Sequence, residues 1–228
     1  MSVYLHIPKT AGTALRNAFL LPENQGKILP FTVAPTHNVT VSNCERQVFF
    51  SIREPLERFC SGFWERFTNP RRRLLNDNAP LRYQGEGYND MADVETAVFK
   101  EFPTPNELLS ALRTATYDQK KFAINNTELN LLLAPLKYWT GDLNKYKLFE
   151  NKVGAVFDQK NLSKIMQETF MIQMPRDPFL KRSRDQFPDL DQTYEVSDEN
   201  KEWFEKTFRR ADYKIIEYIK TRPYFIET

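Results

Sequence analysis

The stretch that decides the fold is MSVYLHIPKTAGTALRNAFL, residues 1–20. Its first part contains a short apolar run at residues 3–7, which predicts a buried strand. Its last part predicts a helix in which Leu15, Ala18 and Phe19 share one face. A strand followed by a tight loop and a helix N-terminus is a geometry that binds phosphate groups.

The loop between this strand and helix, Pro8-Lys9-Thr10-Ala11-Gly12-Thr13, has the composition of an anion-binding turn. Loop N–H groups and the positive end of the helix dipole point at an anion there, and Lys9 adds a formal charge. The loop is not a Walker A motif, which requires G-x-x-x-x-G-K-[ST], because Lys9 and Thr10 precede the single glycine. The pattern therefore favours an anionic nucleotide but not an ordinary kinase or ATPase.

A second stretch, QVFFSIREPLERFCSGFWERF at residues 47–67, repeats the arrangement. Its apolar run predicts a strand that Arg53-Glu54-Pro55 ends, and Pro55 suits the first turn of a helix. Phenylalanines recur every four residues along that helix and predict a buried stripe at Phe59, Phe63 and Phe67. Arg53 at the strand end and Ser61 about one and a half turns into the helix can converge on one anion.

The segment HIPKTAGT, His6 to Thr13, resembles the 5′-phosphosulfate loop of sulfotransferases that use 3′-phosphoadenosine 5′-phosphosulfate (PAPS). The likeness is to the carbohydrate branch, including the heparan sulfate 2-O- and 6-O-sulfotransferases. The second stretch resembles that family's 3′-phosphate-binding segment, with Arg53, Arg58 and Ser61 at the matching positions. The resemblance covers roughly residues 1–67 and 146–220.

The resemblance implies an α/β, P-loop-like three-layer fold with a central, mostly parallel sheet flanked by helices. It also implies PAPS as donor, adenosine 3′,5′-bisphosphate as product and no metal. The residues expected to bind the nucleotide are Pro8, Lys9, Thr10, Ala11, Gly12, Thr13, Arg53, Arg58, Ser61, Lys181 and Arg182. The last two belong to the basic loop 181–184, for which a solvated charge run is the alternative interpretation.

Sulfuryl transfer to a hydroxyl needs charge stabilisation on the leaving phosphate, in-line positioning and a base. Lys9 can supply the charge, and a histidine suits the base because its ordinary pKa is near neutrality. Of the two histidines, His6 is interpreted as a packed residue that orients the loop. His37 lies between the two anion-binding segments, where the 2-O- and 6-O-enzymes place a catalytic histidine. A glutamate base, with Glu45 or Glu86 as candidates, is the competing hypothesis.

Length and charge limit the other possibilities. A chain of 228 residues fits a single domain over 1–228. The resemblance implies that residues 68–140 form a helical and loop insertion that shapes the acceptor site. The formal net charge of +2 argues against a general nucleic-acid binder. No apolar window is long enough for a membrane span and no leader is evident, so a cytoplasmic protein is expected.

Several local features are predicted as well. Residues 69–75 and 76–90 have loop composition, whereas Thr104-Pro105-Asn106-Glu107 is a capping box that opens a helix. Residues 147–151 suggest a strand end with the family's Glu-Asn pair, and residues 155–157 suggest another strand. A helix, or two, is predicted from Ser197 onward, with an apolar stripe at Phe204, Phe208, Ala211, Ile215 and Tyr218.

The cysteines, Cys44 and Cys60, have no metal-ligand spacing with histidine, so no metal site is predicted. Cys60 is expected to be a small core residue, and a disulfide between the two would be unusual in a reducing compartment.

The sequence therefore predicts a PAPS-dependent sulfotransferase acting on a hydroxyl of a carbohydrate-type acceptor, with Lys9 and His37 as catalytic residues. A non-catalytic nucleotide- or glycan-binding module, or a P-loop kinase, is the alternative.

Overall fold

The computed structural model describes residues 2–27, 31–34, 37–75, 101–114, 134–175 and 195–227. The chain divides into two compact units, each assembled from separate segments. The first unit comprises residues 1–55, 135–179 and 209–228, and the second comprises residues 56–134 and 180–208. The assignment of all 228 residues to one sulfotransferase domain stays a prediction.

The first unit contains a five-stranded parallel sheet. Its strands are β1 (Ser2–Tyr4), β2 (Phe31–Val33), β3 (Val48–Ile52), β4 (Val153–Asp158) and β5 (Phe225–Ile226). They are ordered β2-β1-β3-β4-β5, and every neighbouring pair is parallel. This confirms the α/β class with a parallel sheet, whereas the P-loop-like character of the fold stays a prediction.

The position of β1 beside β3 matters most for function. Val3 pairs with Val48 and Tyr4 pairs with Phe49. Because the strands run in the same direction, the loop that follows β1 and the residues that follow β3 emerge at the same edge of the sheet. The next backbone hydrogen bond, from Leu5 N–H to the Phe49 carbonyl (2.7 Å), extends this pairing towards that edge.

The core on one face of the sheet is built with two helices, α1 (Gly12–Ala18) and α6 (Leu162–Phe170). The predicted helical face of α1 is buried at Leu15 and Ala18. These residues cluster with buried side chains of the sheet and of α6, namely Tyr4, Phe31, Ala155, Phe157, Leu162, Ile165 and Met166. Burial of this apolar surface is the main force that holds α1, and hence the loop before it, against the sheet.

The helix α5 (Leu143–Phe149) occupies the place where a strand end was predicted at residues 147–151. The strand prediction is wrong because Asp142 caps a helix: its carboxylate accepts a hydrogen bond from Lys145 N–H at 2.9 Å. Leu148, part of the apolar pair that suggested a strand, is 77% exposed. Glu150, of the predicted Glu-Asn pair, lies in a short 3-10 turn before β4, and β4 contains the predicted strand at 155–157.

The first unit also contains α4 (Lys137–Thr140) and α8 (Arg210–Lys220). The buried face of α8 consists of Asp212, Ile215, Ile216 and Ile219. The predicted stripe is therefore right at Ile215 and wrong at Ala211, which is exposed. A π-helical turn at Phe204–Phe208 precedes α8 and shifts the helical phase, which explains the error.

A polar cluster after α8 fixes the chain before β5. The Glu150 carboxylate accepts hydrogen bonds from Tyr218 Oη (2.7 Å), Tyr224 Oη (2.9 Å) and Arg222 Nε (2.6 Å). Burial alone would raise the pKa of Glu150, but these donors outweigh it and lower the pKa. One ionised carboxylate thus ties the final segment to the start of β4.

The second unit contains α2 (Pro55–Leu75), α3 (Pro105–Thr114) and α7 (Asp198–Trp203). Pro55, the first residue of α2, is counted with the first unit. Pro55 opens α2 as predicted, and Phe59 and Phe63 are buried on it. The loop predicted at 69–75 is wrong, since α2 continues to Leu75. Arginine and leucine are strong helix formers, and they dominate the residues after Pro70.

The capping box that opens α3 is confirmed. Thr104 N–H donates to Glu107 Oε2 (2.9 Å), and Glu107 N–H donates to Thr104 Oγ1 (3.2 Å). Ser197 caps α7 by accepting from Asn200 N–H. Cys60 is buried, which confirms it as a core residue, and Cys44 is buried as well; neither forms a disulfide.

Among the described residues, no helix is long and apolar enough to cross a membrane.

Candidate functional site

The loop between β1 and α1 has an unusual backbone. Lys9 (φ 64°) and Ala11 (φ 67°) are both in the left-handed region, on either side of Thr10. This conformation costs a residue other than glycine about 1–2 kcal/mol. Backbone in which left-handed residues alternate along a turn can direct successive N–H groups to one side and form an anion-binding concavity. The strained loop is therefore consistent with the predicted phosphate cradle.

The hydroxyl of Thr10 forms a hydrogen bond within the loop. Its side chain is 1% exposed, and Oγ1 donates to the Ile7 carbonyl at 2.9 Å. A hydroxyl has one proton to donate, so in this conformation Thr10 stabilises the loop from inside. The backbone at Ala11, Gly12 and Thr13 forms the start of α1, and Lys9 beside it is half-buried.

Two hydroxyl groups from the sheet support the loop from below. Ser51 of β3 donates to the Thr10 carbonyl, and Tyr4 of β1 shares a hydrogen bond with Ser51. Both side chains are completely buried, and burial raises the pKa of Tyr4 well above its usual range. Sequence reasoning missed these residues; a serine within the apolar strand VFFSI was the available signal.

His6 packs directly on the start of α1. A Cβ at Gly12 would lie 2.3 Å from His6 Cδ2, so only glycine leaves room for the imidazole. His6 Nε2 lies 3.3 Å from Thr13 Oγ1. Burial, and then electrostatic interactions with His37 and Arg16, lower the pKa of His6 to about 4. His6 is thus a neutral, packed residue at neutral pH, in line with its predicted role in orienting the loop.

His37 lies against His6. Their ring centroids are 4.2 Å apart, and His37 Nδ1 is 2.5 Å from the His6 carbonyl oxygen. A carbonyl can only accept, so Nδ1 carries the proton in this contact. In the neutral ring Nε2 then holds the lone pair, which is the state a general base requires. The structure thereby brings His37 to the Lys9 loop, although its catalytic role stays a prediction.

Arg53 follows β3 and is half-buried. The next residue, Glu54, accepts a hydrogen bond from the Tyr213 hydroxyl of α8. The segment that ends β3 is therefore held to α8 at the same sheet edge as the Lys9 loop. Tyr213 is a second contact that sequence reasoning did not identify.

The other residues predicted to bind the nucleotide belong to the second unit. Arg58 is 5% exposed and donates through Nη2 to the Ala134 carbonyl at 2.6 Å, so part of its guanidinium serves the protein interior. Ser61 is half-buried one turn further along α2. Lys181 and Arg182 lie outside the described residues, as does the alternative base Glu86, whereas Glu45 is described and exposed.

No group of three or more His, Cys, Asp or Glu side chains that could hold a metal occurs in the described ranges. Comparisons of this chain with protein-family models, curated proteins and solved structures found no match.

Proposed function

We propose that the protein is a sulfotransferase that moves the sulfuryl group of PAPS to a hydroxyl of a carbohydrate-type acceptor. One observation carries this proposal: β1 and β3 are adjacent parallel strands, so the Lys9 loop and Arg53 emerge at one sheet edge. Open α/β sheets bind ligands at the carboxyl ends of their strands. Two cationic segments at one such edge suit a nucleotide with phosphates at both its 5′ and 3′ positions.

In the proposed reaction, the acceptor oxygen attacks sulfur as the bond from sulfur to the bridging oxygen breaks. The bridging oxygen leaves with adenosine 3′,5′-bisphosphate, and His37 Nε2 takes the acceptor's proton. Lys9 stabilises the negative charge that develops on the leaving phosphate. The hydrogen bond from His37 Nδ1 to the His6 carbonyl supports this assignment, because it leaves Nε2 to accept the proton.

The same geometry supports a proposed set of nucleotide contacts. Backbone amides at Ala11, Gly12 and Thr13 suit the 5′-phosphate, and Arg53 suits the 3′-phosphate. Arg58 and Ser61 belong to the second unit, and their expected contact with the 3′-phosphate stays a prediction.

The test is turnover of labelled PAPS with a panel of glycan acceptors and two matched variants. Lys9→Ala should lose both nucleotide affinity and turnover. His37→Ala should retain nucleotide affinity while turnover falls by about 10²–10⁴-fold. Binding of PAPS without transfer to any acceptor would favour a nucleotide-binding module. Preference for ATP with Mg²⁺ over adenosine 3′,5′-bisphosphate would favour a kinase.

A further inference from the structure

Trp139 lies within the stretch expected to shape the acceptor site, at a position that the sequence did not single out, and it contacts the loop that carries His37. Its side chain is 0% exposed, and its indole Nε1–H donates to the His37 carbonyl at 2.7 Å. Its own carbonyl accepts from Val41 N–H at 2.8 Å. Trp139 thus holds the 37–41 loop at both ends.

The helix that carries Trp139 is itself anchored. Lys137 N–H, at the start of α4, lies 3.4 Å from the carboxylate of Asp212, which is 1% exposed. Leu136, just before this helix, and Thr140, its last residue, are 4% and 0% exposed, so both ends of the helix are buried. The indole N–H of Trp139 therefore has a fixed position, and its hydrogen bond holds the His37 carbonyl in place.

From this geometry we infer that Trp139 is a positioning residue for His37; the inference rests on the proposed function. The indole fixes the His37 backbone, and this sets the ring so that Nδ1–H reaches the His6 carbonyl. The result is one tautomer, with the proton on Nδ1 and the lone pair on Nε2. Without the indole donor, the 37–41 loop gains freedom and the His37 ring no longer holds a single tautomer.

The test compares Trp139→Phe, which retains a large ring but removes the N–H, with Trp64→Phe. Trp64 is 3% exposed and lies in the second unit, so it controls for loss of a buried indole. In ¹⁵N-histidine-labelled protein above neutral pH, wild-type His37 should show a protonated Nδ1 and an unprotonated Nε2. The chain has two histidines, and the signals lost in His37→Gln identify those of His37.

Trp139→Phe should move both His37 nitrogen signals towards the average of two tautomers and lower turnover about 10-fold, with the KM for PAPS unchanged. That factor corresponds to one buried hydrogen bond. Trp64→Phe should change neither the His37 nitrogen signals nor turnover. Unchanged His37 signals in Trp139→Phe would overturn the inference, whatever happens to turnover.

If Trp139→Phe does not fold, benzothienylalanine at position 139 provides the same test, because it replaces the indole N–H with sulfur at nearly constant shape. If wild-type protein transfers no sulfuryl group, the proposed function fails. The nitrogen spectra then still decide whether Trp139 sets the His37 tautomer.

Discussion

Replacing Gly12 with alanine would place a methyl carbon 2.3 Å from Cδ2 and 3.0 Å from Nε2 of His6. The imidazole cannot withdraw freely, since the His37 ring lies on it at 4.2 Å and Thr13 Oγ1 lies 3.3 Å from its Nε2. Overpacking costs about 1–3 kcal/mol in general, and a contact this short against a ring that cannot withdraw belongs to the upper part of that range, about 2–3 kcal/mol. Alanine gains about 1 kcal/mol over glycine within a helix, which offsets part of that cost. Gly12→Ala should therefore lower the free energy of unfolding by about 1–2 kcal/mol.

A double-mutant cycle with His6→Ala isolates this contact. Without the imidazole, Gly12→Ala should be neutral or should stabilise by up to about 1 kcal/mol, so the coupling energy is about 1–3 kcal/mol. Urea unfolding of the four proteins measures it, and in wild-type background the melting temperature should fall by about 3–6 °C. An equal loss of stability with and without His6 would refute the packing of His6 on Gly12.

Four further outcomes are expected. Arg53→Ala should reduce the preference for adenosine 3′,5′-bisphosphate over AMP by about 10- to 100-fold in calorimetry, because a charge-assisted contact is lost; an unchanged preference would remove Arg53 from the site. Since the folded state lowers the pKa of His6 to about 4, the unfolded chain binds a proton between about pH 6.5 and 4 that the folded chain does not. The free energy of unfolding should therefore fall by about 1–2 kcal/mol as the pH drops through that window, a figure reduced because the ring is partly exposed to solvent. In His6→Gln, urea unfolding measured across the same pH range should not show this fall. Ala11→Gly should stabilise by about 0.5–1 kcal/mol by relieving the left-handed strain, and a lower melting temperature would contradict that. Glu150→Gln should destabilise by about 1 kcal/mol because it weakens the hydrogen bonds from Tyr218, Tyr224 and Arg222; an unchanged urea midpoint would show that these bonds contribute nothing.

The sequence was most informative where local chemistry decides local structure. The strand at β3, the helix start at Pro55 and the capping box at Thr104 follow from residues that act on their immediate neighbours. The error at residues 147–151 has the same origin. The apolar pair within residues 147–151 favours a strand. The residue that decides for a helix, the cap at Asp142, lies upstream of that stretch.

The candidate site was less accessible from sequence because its defining contacts are long-range. The pairing of β1 with β3 could be expected from two similar strand–loop–helix segments. The hydrogen bond from Trp139 to His37 joins positions that share no local pattern, so spacing could not predict it. The hydrogen bond from the Thr10 hydroxyl to the Ile7 carbonyl could not be predicted either, since a threonine side chain in such a loop can point to either side.

The order of strands in the sheet has a consequence for synthesis on the ribosome. β1, β2 and β3 are all made by Ile52, but the neighbour that covers the open side of β3 begins at Val153. At a synthesis rate of about 5–20 residues per second, the edge of β3 stays unpaired for several seconds before β4 is made. An exposed apolar edge strand invites pairing with other chains. A nascent chain of this protein should therefore depend on chaperones most strongly after β3 has emerged and before β4 arrives.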